Sequence, residues 1–288
     1  MRWPVEAVTY RTAPDVQVLV HAQKPLGEAK GQLVMVHGLE GSSEAGYARS
    51  LTYKALEMGY ATHRFNMRGC GGTDHMSVTA YHAGQTSDVL EVLRRLKEVS
   101  DAPLYLVGFS LGANVALKLA GELDGEGLLA GVCSVSAPID LAACARALQE
   151  PQNFLYQQRF VSRLKERIKR RHGQAPEVYT LVHLPKIRTI LDFDEYYTSK
   201  LFGFGTAANY FRTQSANQFL ERIRVRTLLI QAQDDPLIPF SAYDLRVFKT
   251  NPKLELVTPR HGGHLGFLSR QRPRFWVDEV IVGWIRGN

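Results

Sequence analysis

Cysteine is scarce in this chain of 288 residues: it is present only as Cys70, Cys133 and Cys144. An odd, sparse set excludes a disulfide framework and fits a reducing compartment. Neither C-x-x-C nor H-E-x-x-H spacing occurs, so no dedicated metal site is expected. Long apolar runs are missing as well. The strand-like run Gly127 to Ile139 is free of charge, but no uncharged run reaches the ~18 residues that cross a bilayer. The first residues, Met-Arg-Trp-Pro-Val-Glu, hold no apolar signal region and no transit-peptide composition. Internal repeats and low-complexity segments are absent too. These absences lead to the expectation of a soluble, cytoplasmic protein with no metal and no organic cofactor.

What is present is a globular composition, with 45% hydrophobic and 22% charged residues. The length suits one α/β domain with an insertion. Strand patterns fall at 5–10, 16–22, 33–36, 61–65, 104–107, 128–135, 227–231 and 254–258. Helical patterns fall between them at 46–58, 88–99, 111–122 and 274–285. Asp88 and Glu91 have the spacing of a capping box at the start of the second helix. Apolar strands alternating with helices predict a mostly parallel sheet covered on both faces.

The stretch around Ser110 carries the chemistry. A buried strand runs into Gly108-Phe109-Ser110-Leu111-Gly112 and then into a helix. A tight strand-to-helix turn strains the central residue and lifts its hydroxyl clear of the sheet. Glycine flanks it on both sides because strand and helix nearly touch there. The helix aims its free N–H groups and positive dipole end at the same point.

A serine hydroxyl is a weak nucleophile and needs a base, itself oriented by a carboxylate. Later strands supply both at the same sheet edge. One runs into Ala232-Gln-Asp-Asp-Pro-Leu-Ile-Pro239 and the next into Pro259-Arg-His-Gly-Gly-His-Leu-Gly266. Asp235, with a proline four residues on, is the first choice of acid; Asp234 then caps or orients its loop. Asp140, just past the preceding strand, is a minor alternative. His264 is the first choice of base because Gly262 and Gly263 let its loop approach, and His261 is the second. Oxyanion donors are expected from the backbone N–H of Leu111 and of Leu39, the latter in the turn His37-Gly-Leu-Glu-Gly41. His37 is expected to fix that turn through hydrogen bonds, and Asn66 and Arg68 to hold neighbouring loops together. Cys70 is expected to be incidental rather than a reactive thiol.

The strand–helix alternation breaks between about 137 and 223. This region is expected to be a helical lid on the carboxyl edge of the sheet, where ligands bind in open α/β folds. The core is then 1–136 and 224–288. Leu191, Phe193, Tyr196, Tyr197, Phe202, Phe204, Tyr210 and Phe211 are candidates for the lining of an acyl pocket. Net charge is +7, and much of the excess lies in Arg159 to Arg171. Phe160, Val161, Leu164 and Ile168 there share one helical face. The favoured reading is a solvated helix packed on the body; the sharper one is a basic face that meets anionic lipid. No nucleic-acid motif accompanies the charge, so no nucleic-acid partner is expected.

Together these features resemble the α/β-hydrolase superfamily along nearly the whole chain. His37-Gly-Leu-Glu-Gly-Ser-Ser43, Phe65-Asn-Met-Arg-Gly-Cys-Gly-Gly72 and Tyr81-His-Ala-Gly-Gln-Thr-Ser-Asp88 narrow it to the YheT-like hydrolases and the related eukaryotic lipid esterases. The resemblance implies a helical lid on a mostly parallel sheet, with Ser110, Asp235 and His264 as a catalytic triad. It also implies an acyl-ester substrate and no cofactor. Eukaryotic members carry an N-terminal membrane anchor that has no counterpart here, so membrane residence is not expected to transfer. The alternatives to carboxylester hydrolysis are thioester hydrolysis or acyl transfer on the same residues, or a non-catalytic lipid-binding role.

Overall fold

The structure is a computed structural model that describes residues 2–270 and 274–287. Its centre is an eight-stranded sheet of order β1-β2-β4-β3-β5-β6-β7-β8. The strands are β1 (Glu6–Ala13), β2 (Val16–Gln23), β3 (Gln32–Val36), β4 (Ala61–Phe65), β5 (Leu104–Phe109), β6 (Gly131–Val135), β7 (Thr227–Ile230) and β8 (Leu254–Val257). β1 and β2 form an antiparallel edge, β2 pairs antiparallel with β4, and β3 to β8 run parallel. β2, inside the edge strand β1, alternates buried and half-buried residues along most of its length, whereas β3 to β7 are buried throughout. That difference is what one covered face and two covered faces require.

The period of two divides the core cleanly. Leu33 and Met35 of β3, with Val107 and Phe109 of β5, face helix α1 (Gly46–Glu57) and the C-terminal helix Trp276–Arg286. Val34 and Val36, with Leu104 and Leu106, face α2 (Ser87–Glu98) and α3 (Leu111–Leu123). In α2 the buried residues Val89, Val92, Leu93 and Leu96 make one stripe at helical spacing.

Two local expectations need correction. Asp88 does not cap α2: the helix begins one residue earlier with Thr86 at its N-cap. The Asp88 carboxylate instead accepts a forked pair from Arg68 at 2.5 and 2.8 Å, and the Thr12 hydroxyl at 2.7 Å. A bidentate guanidinium outcompetes a single backbone N–H for a buried carboxylate. β6 starts at Gly131 rather than residue 128, because its first ladder partner is Tyr105.

Between β6 and β7 the chain is helical and contributes no strand among the described residues. It includes α4 (Leu141–Ala147), α5 (Phe154–His172) and the helix Ala207–Gln214. Val161, Leu164 and Ile168 of α5 pack on Tyr179, Ile187, Phe193 and Tyr197 in a separate apolar cluster that also takes in Ala80. The helix is not solvated along its whole basic face, as the charge pattern suggests: Arg167 and Arg171 are buried. Arg171 donates to the Ser77 carbonyl, and Arg167 meets Glu40. No helix among the described residues is long and apolar enough to cross a membrane.

Candidate active site

The sheet order reverses between β4 and β5, so the turns after β3 and β5 lie side by side at the carboxyl edge. Ser110 sits at the apex of the second turn with φ of +53°. This is the left-handed region, uncommon for a residue with a side chain. Three close approaches hold it there. A Cβ on Gly108 would stand 2.3 Å from the Gly112 carbonyl oxygen, and one on Gly112 2.4 Å from that of Val36. The Ser110 N–H donates to the Val135 carbonyl at 2.8 Å.

β7 ends at Ile230 and β8 at Val257, and the loops after them return toward Ser110. His264 Nε2 lies 2.8 Å from Ser110 Oγ, and its Nδ1 lies 2.9 Å from Asp235 Oδ2. The Asp235 side chain is fully buried, while that of His264 keeps 16% exposure. Asp235 Oδ1 accepts the N–H groups of Leu237 and Ile238, at 2.9 and 3.2 Å, and Oδ2 also accepts Gln231 Nε2 at 3.2 Å. The His264 loop needs its glycines. Gly263 has φ of +58°, and a Cβ on Gly262 would press into the Phe267 ring. The Ser136 hydroxyl donates to the His264 carbonyl and pins that loop across the sheet edge.

The other candidates lie elsewhere. Asp234 accepts Gly262 and Gly263 N–H groups at 2.9 Å each and contacts His261 Nδ1 at 3.2 Å, so it shapes the loop. His261 itself is exposed. Asp140 caps α4 by accepting the Ala143 N–H at 2.9 Å. His37 is buried, accepts the Met67 N–H on Nε2 at 3.2 Å and contacts the Gly38 carbonyl through Nδ1 at 2.8 Å. Burial pushes His37 down to about 4, against the pull of that carbonyl, so it stays neutral. Asn66 Oδ1 accepts the Ser43 N–H and its Nδ2 donates to the Leu19 carbonyl, tying two loops. Burial pushes the Cys70 thiol up to about 12, which leaves it unreactive.

Two recesses meet at Ser110. The inner one is an apolar cavity of about 110 Å³, several times the ~10–15 Å³ that one water needs, so an organic group fits. Its wall includes Leu39, Leu111, Leu141, Leu148, Phe160 and Leu237 together with Ser110 and His264. Of the aromatic candidates, Phe193, Tyr210 and Phe211 line it. Leu191, Tyr196, Tyr197, Phe202 and Phe204 do not; Phe202 and Phe204 pack on His82, 4.7 and 5.2 Å away. The outer recess is wider and more polar, bounded by Gly38 to Ser42, Arg159, Arg163 and Leu265. Among the described residues no group of three or more His, Cys, Asp or Glu side chains is placed to hold a metal ion.

Sequence reasoning missed two charged residues in the inner wall, Arg167 and Asp194. Arg167 lies three residues after Leu164, a spacing that places it on the apolar face of α5. Asp194 is half-buried, and its carboxylate accepts the Thr198 hydroxyl at 2.6 Å. Burial pushes its carboxyl up to about 7, against the pull of Thr198 and of Arg167. The folded chain therefore holds this proton more tightly than the unfolded chain, whose carboxyl keeps its ordinary value of 3.8. The stability this provides is full below that ordinary value and is lost as pH rises through about 7. Asp194→Asn is expected to raise the thermal midpoint by roughly 4 °C or more at about pH 8.5 and to change it little at about pH 3.5, below the ordinary carboxyl value. Equal shifts at both pH values contradict a buried neutral carboxyl.

Residues 32–271 match the family model described as alpha/beta hydrolase fold. The putative esterase YheT of Escherichia coli is 32% identical over 89% of this chain and 76% of its own length. Mouse phospholipase ABHD3 is 27% identical over 88% of this chain and 63% of its own. Among solved structures, the Pyrococcus furiosus esterase Pf2001 superposes with a TM-score of 0.66 at 16% identity, over 99% of this chain and 93% of its own. That likeness concerns the fold. With the family model covering most of the sequence and YheT aligning along most of both chains, the chain belongs to the alpha/beta hydrolase fold family, on the branch that holds YheT and ABHD3.

Proposed function

We propose that this chain is a serine carboxylesterase with Ser110, His264 and Asp235 as its catalytic triad. The observation that carries the reading is the continuous hydrogen-bonded row from Asp235 through His264 to Ser110 at the mouth of an apolar cavity. His264 Nε2 takes the Ser110 proton as the oxygen attacks the ester carbonyl carbon. The Leu39 and Leu111 N–H groups receive the oxyanion. The tetrahedral intermediate collapses, His264 passes its proton to the leaving alkoxide, and an acyl-enzyme remains. Water, deprotonated by His264, then attacks the acyl carbon and releases the acid and the free serine. Asp235 holds the imidazole tautomer and stabilises its cation throughout. No metal or organic cofactor takes part in this scheme.

In this reading residues 137–223 form the lid over a core of 1–136 and 224–288. The acyl chain enters the inner cavity, and the alcohol portion faces the outer recess beside Arg159 and Arg163. Phe154 and Leu155 at the start of α5 are exposed, at 59% and 79%. With those two arginines one and two turns further on, they support contact with an anionic lipid surface. The test is turnover of p-nitrophenyl esters with acyl chains from about two to sixteen carbons, with and without anionic vesicles. Each buried methylene contributes about 0.8 kcal/mol. Catalytic efficiency is therefore expected to rise roughly tenfold from the acetate to the butyrate. Matched thioesters and added alcohols are expected to be poorer acyl donors and acceptors than ester and water. Turnover of thioesters alone, or of no acyl compound, contradicts the proposal.

A further inference from the structure

The turn after β3 is held at three points, and one of them comes from α5. Gly38 N–H donates to the Tyr47 hydroxyl at 3.0 Å, and Gly41 N–H to the Gly38 carbonyl at 3.0 Å. Glu40, between them, has φ of +53°, a left-handed conformation that a residue with a Cβ adopts only under restraint. Its restraints are all visible. Glu40 N–H donates to the Tyr81 hydroxyl oxygen at 2.8 Å, and that hydroxyl donates to Glu40 Oε1 at 2.9 Å. Arg167 Nη1 donates to the same Oε1 at 2.6 Å, and Arg163 Nη1 reaches the Glu40 carbonyl at 3.4 Å. The Arg167 guanidinium lies over the rings of Tyr81 and Phe193, 4.8 and 5.4 Å from their centroids. The Arg167 and Glu40 side chains are only 6% and 8% exposed.

Leu39 lies between the tied residues Gly38 and Glu40. The missing Cβ of Gly38 is what lets this turn approach Ser110, since a Cβ there would stand 3.0 Å from that of the serine. We propose that Arg167 is a positioning residue: by gripping Glu40 it fixes the Leu39 N–H over the serine, and so makes the oxyanion site depend on where α5 sits. This rests on the serine-esterase reading above. Arg167 acts through Glu40 and transfers no proton. The pair is neutral as a unit, so its effect is on the placement of a backbone donor rather than on the local field. Buried ion pairs add little net stability, which makes a purely structural purpose a poor account of this one.

The experiment compares Arg167→Lys, Arg167→Met, Glu40→Gln and the double variant R167M/E40Q. Active sites are counted with a fluorophosphonate. Each protein is then measured for kcat and KM on p-nitrophenyl butyrate, and for inhibition by a trifluoromethyl ketone whose hemiketal oxygen occupies the oxyanion site. Either single neutralisation leaves one buried charge alone and destabilises the fold; the double variant does not. The double variant is expected to melt cooperatively. Its kcat per titrated site should fall about tenfold to a hundredfold, with KM within about threefold. The ketone should weaken by the same factor as kcat/KM. Arg167→Lys keeps the charge but not the planar fork and should recover part of the loss. Wild-type kcat and inhibition in the double variant overturn the proposal. If that variant does not fold, unchanged kcat and inhibition in Arg167→Lys overturn it. A wild-type protein that neither titrates nor turns over refutes the esterase reading itself, and this proposal with it; an active wild type beside unaffected variants refutes only the tie to Arg167.

Discussion

Replacing Ser110 with alanine is expected to lower turnover of p-nitrophenyl butyrate by a factor on the order of 10⁴ to 10⁶ while leaving the thermal midpoint within about 2 °C. The two effects separate because the hydroxyl and the turn do different work. His264 Nε2 faces the Ser110 Oγ at 2.8 Å, so removing that atom removes the group that forms the acyl bond. The turn itself is held by the Ser110 N–H, by Gly108 and by Gly112, all of which the alanine keeps. A folded variant with more than about a hundredth of wild-type turnover contradicts the assignment of Ser110 as nucleophile.

Asp235→Asn is expected to cost about 10³- to 10⁴-fold in kcat, with KM little changed. The geometry dictates how. Oδ1 of Asp235 accepts two backbone N–H groups, from Leu237 and Ile238. An asparagine must keep its carbonyl oxygen on that side, which turns its amide N–H₂ toward His264 Nδ1. Nδ1 must then accept, Nε2 carries the proton, and the ring offers Ser110 a donor where a base is needed. The control is Asp140→Ala, which removes the cap of α4. It is expected to cost about 1 kcal/mol of stability and to leave kcat within a few-fold. The reverse pattern, an active Asp235→Asn beside an inactive Asp140→Ala, would move the acid to the end of β6.

The site was legible where its causes are local. The turn at Ser110 is written in two glycines and the strand and helix around it. Asp235, Asp234, His264 and His261 were sorted by loop chemistry and by their position after successive strands. The spacing also read Val161, Leu164 and Ile168 correctly as the buried stripe of α5. It failed where a partner distant in sequence decides. Asp88 has the spacing of a cap, but Arg68, brought alongside by β4, claims its carboxylate. Arg167 and Arg171 read as solvated charges because Glu40 and the carbonyls of residues 74 to 78 reach them only through the fold. The cavity wall likewise depends on how α4 and the segment after β7 pack. Leu141, Leu148 and Leu237 were therefore not foreseen, and Leu191 and four of the aromatic residues named for that wall lie outside it.

The most direct test of the central claim is peptide mapping of the intact protein after reaction with a fluorophosphonate. The account predicts one phosphonyl adduct per chain, on Ser110, formed with loss of fluoride and blocking turnover in proportion. In His264→Ala the same adduct should form far more slowly. Folded protein that carries no adduct, or carries it on another residue while turnover is lost, would contradict Ser110 as the nucleophile.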